Sequence, residues 1–517
     1  QRESHPLQKR TAQPSRDFGY IVHIAASDLV IYTLHLTDTM HHVSSLIYAG
    51  SAMGATFAGD LITLFIFWEL LAVSSVFLIW ANRTDAAAQA GIRYLIYQVL
   101  SGVLLLAGAL IHYSYTGSLA FDYIGIENPG GWLILLAFGI KCAFPFLHTW
   151  LTDAYPASTF TGAAVLSVFT TKVAIYALAR GYPGTDILIY IGAIMTCFPI
   201  FYAVLENDLR KVLSYSLINQ LGFMVCGIGI GTALSLNGAV AHAFAHILYK
   251  SLLFMSMGAV MYRVGHAYAS DLGGLYKSMP KTTVLCIIGA ASISAVPLFS
   301  GFVAKSLVMT ALLEQGELIV WLMLLFASAG VLHHAGIKVP FFAFYAHDSG
   351  IRTKEAPTNM LIAMFIAAVL CVLIGAQPQY LYAILPWEMD YWPYDLTHVL
   401  AQLQLLFFAA LAFVWMEIKH YAPPELHATN IDAEWIYRRL MPAVAHRGLL
   451  ALRRAKDALN ATARASMETI RYSFSQSTLA KNHLSESWPT GSMVFWISIT
   501  LAAYLLVDIS LYSEPLE

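Results

Sequence analysis

WLILLAFGIKCAFPFLHTWLTDAYPASTFTGAAVLSVFTTKVAIYALARG, residues 132–181, decides the fold. It consists of two apolar segments joined by a polar, proline-marked break, and each segment contains one lysine, Lys141 and Lys172. A charged side chain at the centre of a bilayer costs roughly 2.5–3.5 kcal/mol on insertion scales. Because two lysines inside membrane spans carry this energetic cost, we expect them to have a function. We expect both to carry protons, with partner groups supplied by the rest of the chain.

The composition indicates a membrane protein. The 517 residues are 58% hydrophobic and only 12% charged, whereas a soluble protein carries about 25% charged residues. The charges fall mostly between long apolar runs, which is typical of a polytopic helical protein. The five cysteines lie inside apolar runs without metal or redox spacing. No nucleotide, flavin or iron–sulfur motif occurs, so we predict neither a cofactor nor a metal.

Fourteen apolar segments are candidates for membrane spans. They fall at about 19–36, 43–59, 61–81, 92–113, 132–149, 160–181, 187–205, 211–231, 237–262, 284–308, 318–345, 359–377, 399–418 and 493–512.

Lysines and arginines in the loops predict the orientation. They concentrate in alternate loops, and the long segment 419–492 belongs to the same set, so this face should be cytoplasmic. The tail with Arg2, Lys9, Arg10 and Arg16 breaks the rule. This suggests that the natural N-terminus precedes residue 1 and that residues 1–42 are a truncated tail and first span.

Segment 443–475 differs in kind from the spans. Apolar residues recur every three or four positions, and most of its basic residues lie off that stripe. A basic amphipathic helix between two spans is expected to lie along the cytoplasmic interface. It is either a solvated connector or a brace that grips neighbouring subunits.

Ionisable residues recur inside the predicted spans and form the candidate site. They are Glu69, Lys141, Lys172, His242, His246, Lys250, Lys305 and Lys338. His242, His246 and Lys250 are four residues apart and share one helix face. Some members have an ordinary alternative, since lysines near helix ends snorkel to the interface and buried histidines bond neighbouring helices. We interpret His333 and His334 as structural.

Proton transfer suits these groups because burial and nearby carboxylates shift lysine pKa values in opposite directions. Two lysine pairs also suggest an internal duplication. Lys141 and Lys172 are 31 residues apart, and Lys305 and Lys338 are 33 apart. Each pair begins beside a proline-interrupted segment, which points to transporter repeats with midplane sites at broken helices.

Several long motifs resemble one protein family. They are DLITLFIFWELLAVSS, FGIKCAFPFLHTWLTDAYPASTFTGAAVLSVFTTKVAIYALAR, ENDLRKVLSYSLINQLGF, AHAFAHILYKSLLFMSMGAV and PLFSGFVAKSLV. Over about 43–345 the chain resembles the proton-translocating antiporter-like subunits. These are found in complex I, membrane-bound hydrogenases and Mrp cation/proton antiporters, and the wording of two motifs is most similar to the D-type subunit of Mrp antiporters.

The resemblance implies a fold and roles. The fold is all-α and polytopic, with about fourteen transmembrane helices, two inverted five-helix repeats with discontinuous helices, and an amphipathic interfacial helix. Glu69 and Lys141 would form a controlling ion pair, and Lys172 would relay protons. His246 and Lys250 would lie on the central axis, and Lys305 would be the terminal site. His242 and Lys338 are further candidates.

Two departures from the family pattern stand out. Glu69 comes about seventy residues early, so the first two family helices are missing from this sequence. The segment before the last span resembles the lateral helix of the most distal complex I subunit, a feature not expected in the D-type Mrp subunit.

The predicted divisions follow. They are a tail and first span at 1–42, repeats at 43–181 and 187–345, spans at 359–418, a cytoplasmic amphipathic segment at 419–492 and a last span at 493–517.

We therefore predict a proton-translocating subunit of a multisubunit Na⁺ or other monovalent cation/proton antiporter in the bacterial inner membrane. Its partners would be other membrane subunits, protons, the cation and the lipid bilayer, without nucleic acid. One alternative is a pumping subunit of a complex I-like or hydrogenase complex. Another is a scaffold without flux. An enzyme is not expected, because the His242/His246 pair lacks the glutamate and third ligand of a zinc site.

Overall fold

The computed structural model describes residues 13–428, 430–479 and 489–512. These residues form helices and connecting loops without a named strand, as predicted. In chain order the α-helices are α1 Gln13–Thr33, α2 Thr39–Phe57, α3 Leu61–Trp80, α4 Asp85–Thr116, α5 Gly131–Lys141, α6 Thr149–Ala157, α7 Gly162–Leu166, α8 Thr170–Gly181, α9 Ile187–Leu205, α10 Leu209–Ile230, α11 Ala233–Val264, α12 Pro280–Ile293, α13 Ser300–Glu314, α14 Leu318–Val331, α15 Thr358–Ala376, α16 Gln379–Tyr382, α17 Leu396–Ile418, α18 Met441–Leu479 and α19 Thr490–Tyr512.

Shorter helical pieces complete the chain. A 3-10 turn covers Leu275–Lys277, and π-helices cover Leu332–Lys338, Phe341–Tyr345 and Ile436–Leu440. The basic residues Arg2, Lys9 and Arg10 of the predicted tail lie outside the described residues, as do 480–488 and 513–517.

Every predicted span contains a helix, and the all-α membrane fold is confirmed. Ten helical stretches within the described residues are long and apolar enough to cross a membrane. The predicted span 132–149 is interrupted after α5, and the spans 160–181 and 284–308 are each two short pieces, α7 with α8 and α12 with α13. The interruptions after α5 and after α12, which we call the first and second breaks, fall at the predicted proline-marked positions, where the chain cannot continue as a regular helix.

Local sequence sets the ends of the two longest membrane helices, α4 and α11. Thr84 caps α4 by accepting a hydrogen bond from the Ala87 N–H, and Thr232 caps α11 in the same way. Gly117 and Gly265 end the helices with φ of 70° and 96°. Glycine adopts that left-handed conformation without the strain that a Cβ brings.

The helix bounds repeat along the chain with one constant offset. Adding 148 to the bounds of α2 and α4 gives those of α9 and α11. The offset also relates two local pairings, since Asp60 pairs with Ala120 as Asp208 pairs with Tyr268. Each aspartate also caps the helix that follows it, α3 or α10.

The offset supports the repeat division that we propose, 43–181 and 187–345. Counting each broken helix as one pass, α2 to α8 make five passes, and α9 to the π-helix Phe341–Tyr345 make five more. An odd number of passes places the second repeat in the opposite orientation to the first.

The two breaks share an uncommon backbone geometry. Ala143 and Phe146 have φ of 62° and 67°, and Ala295 and Leu298 have φ of 58° and 75°. Non-glycine residues in this region cost about 1–3 kcal/mol each and concentrate at functional sites. The two residues of each pair are three positions apart, and the second pair follows the first by 152 positions. The two breaks therefore have the same backbone geometry.

The chain forms two compact units, residues 1–434 and 435–517. The first contains both repeats. The second contains the amphipathic helix α18, whose 39 residues extend about 58 Å. Residues 419–428 and 430–434, the start of the predicted segment 419–492, belong to the first unit.

Candidate functional site

Glu69 and Lys141 lie beside each other but do not form a direct ion pair. Lys141, the fully buried last residue of α5, donates to the Trp68 carbonyl, and its Nζ lies 4.6 Å from the Trp68 ring centroid. The buried Glu69 Oε1 has no hydrogen-bond partner in the described chain. Glu69 interacts electrostatically with Lys141, yet no Glu69 oxygen lies within 4.0 Å of the ammonium. The controlling ion pair therefore stays a prediction.

Gly102 makes room for this carboxylate. It lies on α4, which packs against α3. A Cβ added at Gly102 would lie 1.6 Å from Glu69 Oε1. The position of the carboxylate thus depends on a glycine in the neighbouring helix.

The side chains of two further lysines, Lys172 on α8 and Lys305 on α13, each bind the carboxyl end of the short helix that precedes them. Lys172 donates to the carbonyl of Ser167, which caps α7. Lys305 donates to the carbonyl of Ile293, the last residue of α12, at 3.0 Å. These end carbonyls lack a partner within their own helix and carry partial negative charge, so they stabilise an ammonium group.

The duplication inferred from lysine spacing is wrong in its residue pairing. The breaks match with an offset of 152, which aligns Lys141 with Ile293. Lys305 lies beyond the second break, on α13, whereas Lys141 lies before the first. The similar spacings of 31 and 33 residues therefore do not join equivalent positions.

His242 belongs to a buried hydrogen-bond network that the sequence reasoning missed. Its Nε2 lies 2.9 Å from Tyr249 Oη and 3.2 Å from Gln220 Oε1. Tyr249 also donates to Gln220, at 3.1 Å. Tyr249 follows His242 by seven residues on α11, so helical periodicity could have found it. Gln220 lies in the LINQLGF motif, where nothing singled it out.

His246 and Lys250 form the unsatisfied centre of the site. Both are fully buried on α11. Neither imidazole nitrogen of His246, nor Lys250 Nζ, has a hydrogen-bond partner among the residues that the structure describes. Buried polar atoms without a protein partner are the ones that ordered water satisfies in native proteins.

The central groups interact with one another across helices. His246 lies within electrostatic range of Lys172, Lys250 and Lys305. Lys250 lies within range of both Lys172 and Lys305. The helix face predicted from spacing therefore meets lysines from both broken-helix regions, which sequence position alone does not show.

Lys338 lies at the predicted cytoplasmic end of the second repeat. Its Nζ donates to the carbonyls of Val204 and Glu206, at 2.6 Å and 2.8 Å, and pairs with Glu425 Oε1 at 2.8 Å. Val204 and Glu206 end α9, so Lys338 also binds a helix carboxyl terminus. It is fully buried and does not snorkel.

His334, which we interpret as structural from the sequence, lies among charged groups. It lies four residues before Lys338 in the π-helix Leu332–Lys338 and is fully buried. Its ring nitrogens have no side-chain hydrogen-bond partner in the described chain. The ring interacts electrostatically with both Lys250 and Lys338. His333 instead packs against Phe413 on α17, with ring centroids 5.0 Å apart.

Two carboxylates reach this region from the segment after α17. Glu425 pairs with Lys338, and Asp432 accepts hydrogen bonds from His148 at 3.2 Å and from Tyr215 at 2.7 Å. Sequence reasoning missed Glu425 and Asp432, because the segment is polar and follows the last span of this unit, and it missed Tyr215 on α10, because nothing in the sequence singled out this tyrosine.

The chain matches the model of a known protein family. The family described as NADH:quinone oxidoreductase/Mrp antiporter, TM, matches residues 58–333, more than half of the chain. The chain belongs to this family. The matched residues include every candidate site residue except Lys338.

Curated relatives have similar sequences. The D subunit of the Na(+)/H(+) antiporter of Alkalihalophilus pseudofirmus is 29% identical over 359 residues, which cover 64% of this chain and 72% of that protein. Hydrogenase-4 component B of Escherichia coli is 27% identical over 357 residues, 61% of this chain and 53% of that protein. The chain is thus a multi-pass membrane protein, and its bacterial relatives place it in the bacterial inner membrane.

Solved structures share the fold. The Mrp complex from Dietzia sp. DQ12-45-1b contains a chain with a TM-score of 0.66 and 20% identity, covering 80% of this chain and 86% of that one. A chain of the membrane-bound sulfane sulfur reductase, an archaeal respiratory membrane complex, has the same TM-score and 22% identity, covering 95% of this chain and 88% of that one.

Proposed function

We propose that the chain is the proton-translocating subunit of a multisubunit monovalent cation/proton antiporter, with Na⁺ as the first cation to test. One observation carries the proposal. Ionisable side chains occur in both repeats, from the half-buried Glu69 to the buried residues Lys141, Lys172, His246, Lys250 and Lys305.

The mechanism follows from where these groups lie. Lys141 can release its proton when the Glu69 carboxylate moves away and take one up when it returns, because the carboxylate stabilises the ammonium. Lys172 and Lys305 can exchange protons with the central groups through water at His246 and Lys250. Helix-end carbonyls hold the charged form of Lys172 and Lys305 in place meanwhile.

Partners are part of the proposal. The relatives and fold neighbours include subunits of named antiporter and respiratory complexes. We expect other membrane subunits to surround this chain within the bilayer. Cation exchange then needs the assembled complex, and the proton route is the share that this chain contributes.

The test uses the assembled complex in vesicles, with a pH-sensitive dye that follows proton movement after Na⁺ addition. Glu69→Ala and Lys141→Ala are expected to abolish exchange while the complex still assembles. Glu388→Ala, which removes an exposed carboxylate, serves as the matched control and should behave like the wild type. Unchanged exchange in the first two variants would refute the proposal.

A second candidate keeps the proton route but couples it to a redox module. The observation in its favour is coverage, since the chain of the sulfane sulfur reductase complex matches 95% of this one. Neighbouring genes for iron–sulfur subunits would support this candidate, and genes for small antiporter subunits would support exchange. A scaffold without flux would show no proton movement in either assay.

A further inference from the structure

The segment after α17 still belongs to the first unit and packs against it. We call residues 421–428 and 430–434 the connector. Glu425 of the connector pairs with Lys338 at 2.8 Å, and the two side chains are only 10% and 1% exposed. The second oxygen of Glu425 is buried and has no hydrogen-bond partner in the part of the chain that the structure describes. A buried carboxylate with one free oxygen can bind a proton there while its other oxygen still accepts the hydrogen bond from Lys338.

Inward from this pair, the polar groups lead back to the central site. His334 interacts electrostatically with both Lys338 and Lys250. It lies in a π-helix, where bonding from residue i to i+5 widens the turn, so residues four or five apart share a face. His334 and Lys338 therefore point to the same side of the helix.

Outward from this pair, the polar groups lead to solvent. The carboxylate of Glu206 bonds Lys211 at 2.9 Å and the connector residue Asn430 at 3.1 Å. The Lys211 side chain is 28% exposed. Lys211 belongs to one of the basic loops that predict the cytoplasmic face.

Asp432 holds the connector in this position. It is buried, and it accepts hydrogen bonds from His148, in the first break, and from Tyr215, six residues into α10. At 1.5 Å per residue, Tyr215 lies about 9 Å from the start of that helix. The connector is thus fixed well inside the bundle by one carboxylate, while the other meets Lys338.

The surroundings of Glu425 suit a proton acceptor. Burial raises the pKa of the Glu425 carboxyl, although Lys338 partly offsets this. Glu417 and Glu206 are the other charged groups close to it, and both favour its neutral form. Raising the pKa brings a carboxyl nearer to the pH at which a cell operates.

We propose that Glu425 is the cytoplasmic-side terminus of a branch of the proton route that runs from Lys250 through His334 and Lys338. Asp432 is its positioning residue. This rests on the proposed function, because a terminus has no role without proton flux. In the transfer step, an N–H bond of the Lys338 ammonium breaks and an O–H bond forms on Glu425. A neutral amine and a neutral acid remain, and the acid then releases the proton to water.

The experiment compares variants of the assembled complex in the vesicle assay. Glu425→Gln keeps an oxygen that accepts from Lys338 but cannot bind the proton, and exchange should fall by at least about tenfold. Lys338→Arg keeps the ion pair but cannot release a proton, since arginine stays charged. Exchange in this variant should fall by a similar factor. Asp271→Asn removes an exposed carboxylate that meets the connector at His427, and should match the wild type.

The outcomes separate the two proposals, with Lys305→Ala as the reference. Loss of exchange in Glu425→Gln or Lys338→Arg, with Asp271→Asn normal, supports the branch. Wild-type exchange in both Glu425→Gln and Lys338→Arg, with Lys305→Ala inactive, overturns the branch and leaves the proposed function intact. If Lys305→Ala also exchanges normally, the proposed function itself is overturned. Should Glu425→Gln fail to assemble, Lys338→Arg decides alone.

Discussion

Lys305 Nζ lies 3.0 Å from the carbonyl oxygen of Ile293. Ile293 has the same position relative to the second break as Lys141 has relative to the first. The two repeats thus use the same broken-helix geometry but supply the lysine from opposite sides of the break. In the first repeat the lysine ends the first piece, and in the second it lies on the following piece. A repeated backbone can therefore hold two buried lysines in different electrostatic settings.

Gly102→Ala is predicted to block exchange. The new Cβ would lie 1.6 Å from Glu69 Oε1, so the carboxylate must move away from its present place beside Lys141. The vesicle assay should show loss of exchange of about tenfold or more, because a small misplacement of a reacting group carries a large kinetic cost.

Gly50→Ala is the matched control for this substitution. Gly50 lies within α2, and a Cβ added there meets no other atom within 4 Å. Exchange should stay at the wild-type rate, with a stability gain of up to about 1 kcal/mol from helix propensity. Equal rates in Gly102→Ala and Gly50→Ala would contradict the position assigned to Glu69.

Ala295→Gly is predicted to stabilise the protein. Ala295 has φ of 58°, which strains a residue with a Cβ but not glycine. Relief of that strain, less the extra entropy of the unfolded chain, leaves a gain of about 1 kcal/mol. Thermal unfolding of the purified complex, followed with a dye that reacts with exposed cysteines, measures it.

Ala137→Gly provides the opposite case. Ala137 is buried within the regular helix α5, where glycine costs about 1 kcal/mol. The midpoint should rise for Ala295→Gly and fall for Ala137→Gly. A fall in both would mean that the break is not strained.

Tyr249→Phe is predicted to slow exchange without unfolding the protein. The hydroxyl bonds both His242 and Gln220, so its loss leaves two buried polar groups short of a partner. The expected cost is about 1–3 kcal/mol of stability, with slower proton exchange. Tyr20→Phe, at an exposed position of α1, should change neither property. A wild-type exchange rate in Tyr249→Phe would exclude this network from the route.

The Asp432 anchor is predicted to be insensitive to pH in the physiological range. Burial raises the pKa of this carboxyl, but hydrogen bonds from His148 and Tyr215 outweigh burial and hold it below its ordinary value of 3.8. A lowered folded-state pKa contributes stability that is present above 3.8 and is lost only as the pH falls through the folded value. Amide hydrogen exchange in the connector, corrected for intrinsic rates, should therefore show no loss of protection from protonation of Asp432 itself until the pH falls below 3.8.

Asp432→Ala gives the contrast for the anchor. It removes an acceptor from two buried donors, and protection of the connector should fall by about 1–3 kcal/mol. Protection that stays at the wild-type value would show that Asp432 does not hold the segment.

Sequence periodicity and proline positions were enough to place a helix in every predicted span and to locate the first and second breaks, because apolar length and helix interruption are local properties. The helix face of His242, His246 and Lys250 followed from spacing alone. The lysine pairing failed because the spacings of 31 and 33 residues ignore on which side of each break a lysine lies, which only the backbone shows.

The missed residues have a common physical reason. Glu425 and Asp432 follow the last span of their unit in a polar segment, and their partners are over 80 residues away in sequence. Nothing in a polar loop indicates that it folds back into a bundle. The role that we propose for His334 depends on Lys250, which belongs to another helix, so sequence position alone does not indicate it.

Proton flux through the assembled complex with Lys305→Ala tests the central claim most directly. Lys305 is buried, bonds one helix-end carbonyl and lies within range of His246 and Lys250. The pH inside wild-type vesicles should change when the cation is added. The pH inside Lys305→Ala vesicles that contain a normally assembled complex should stay constant. Equal flux in the two preparations would contradict a proton route built on these buried side chains.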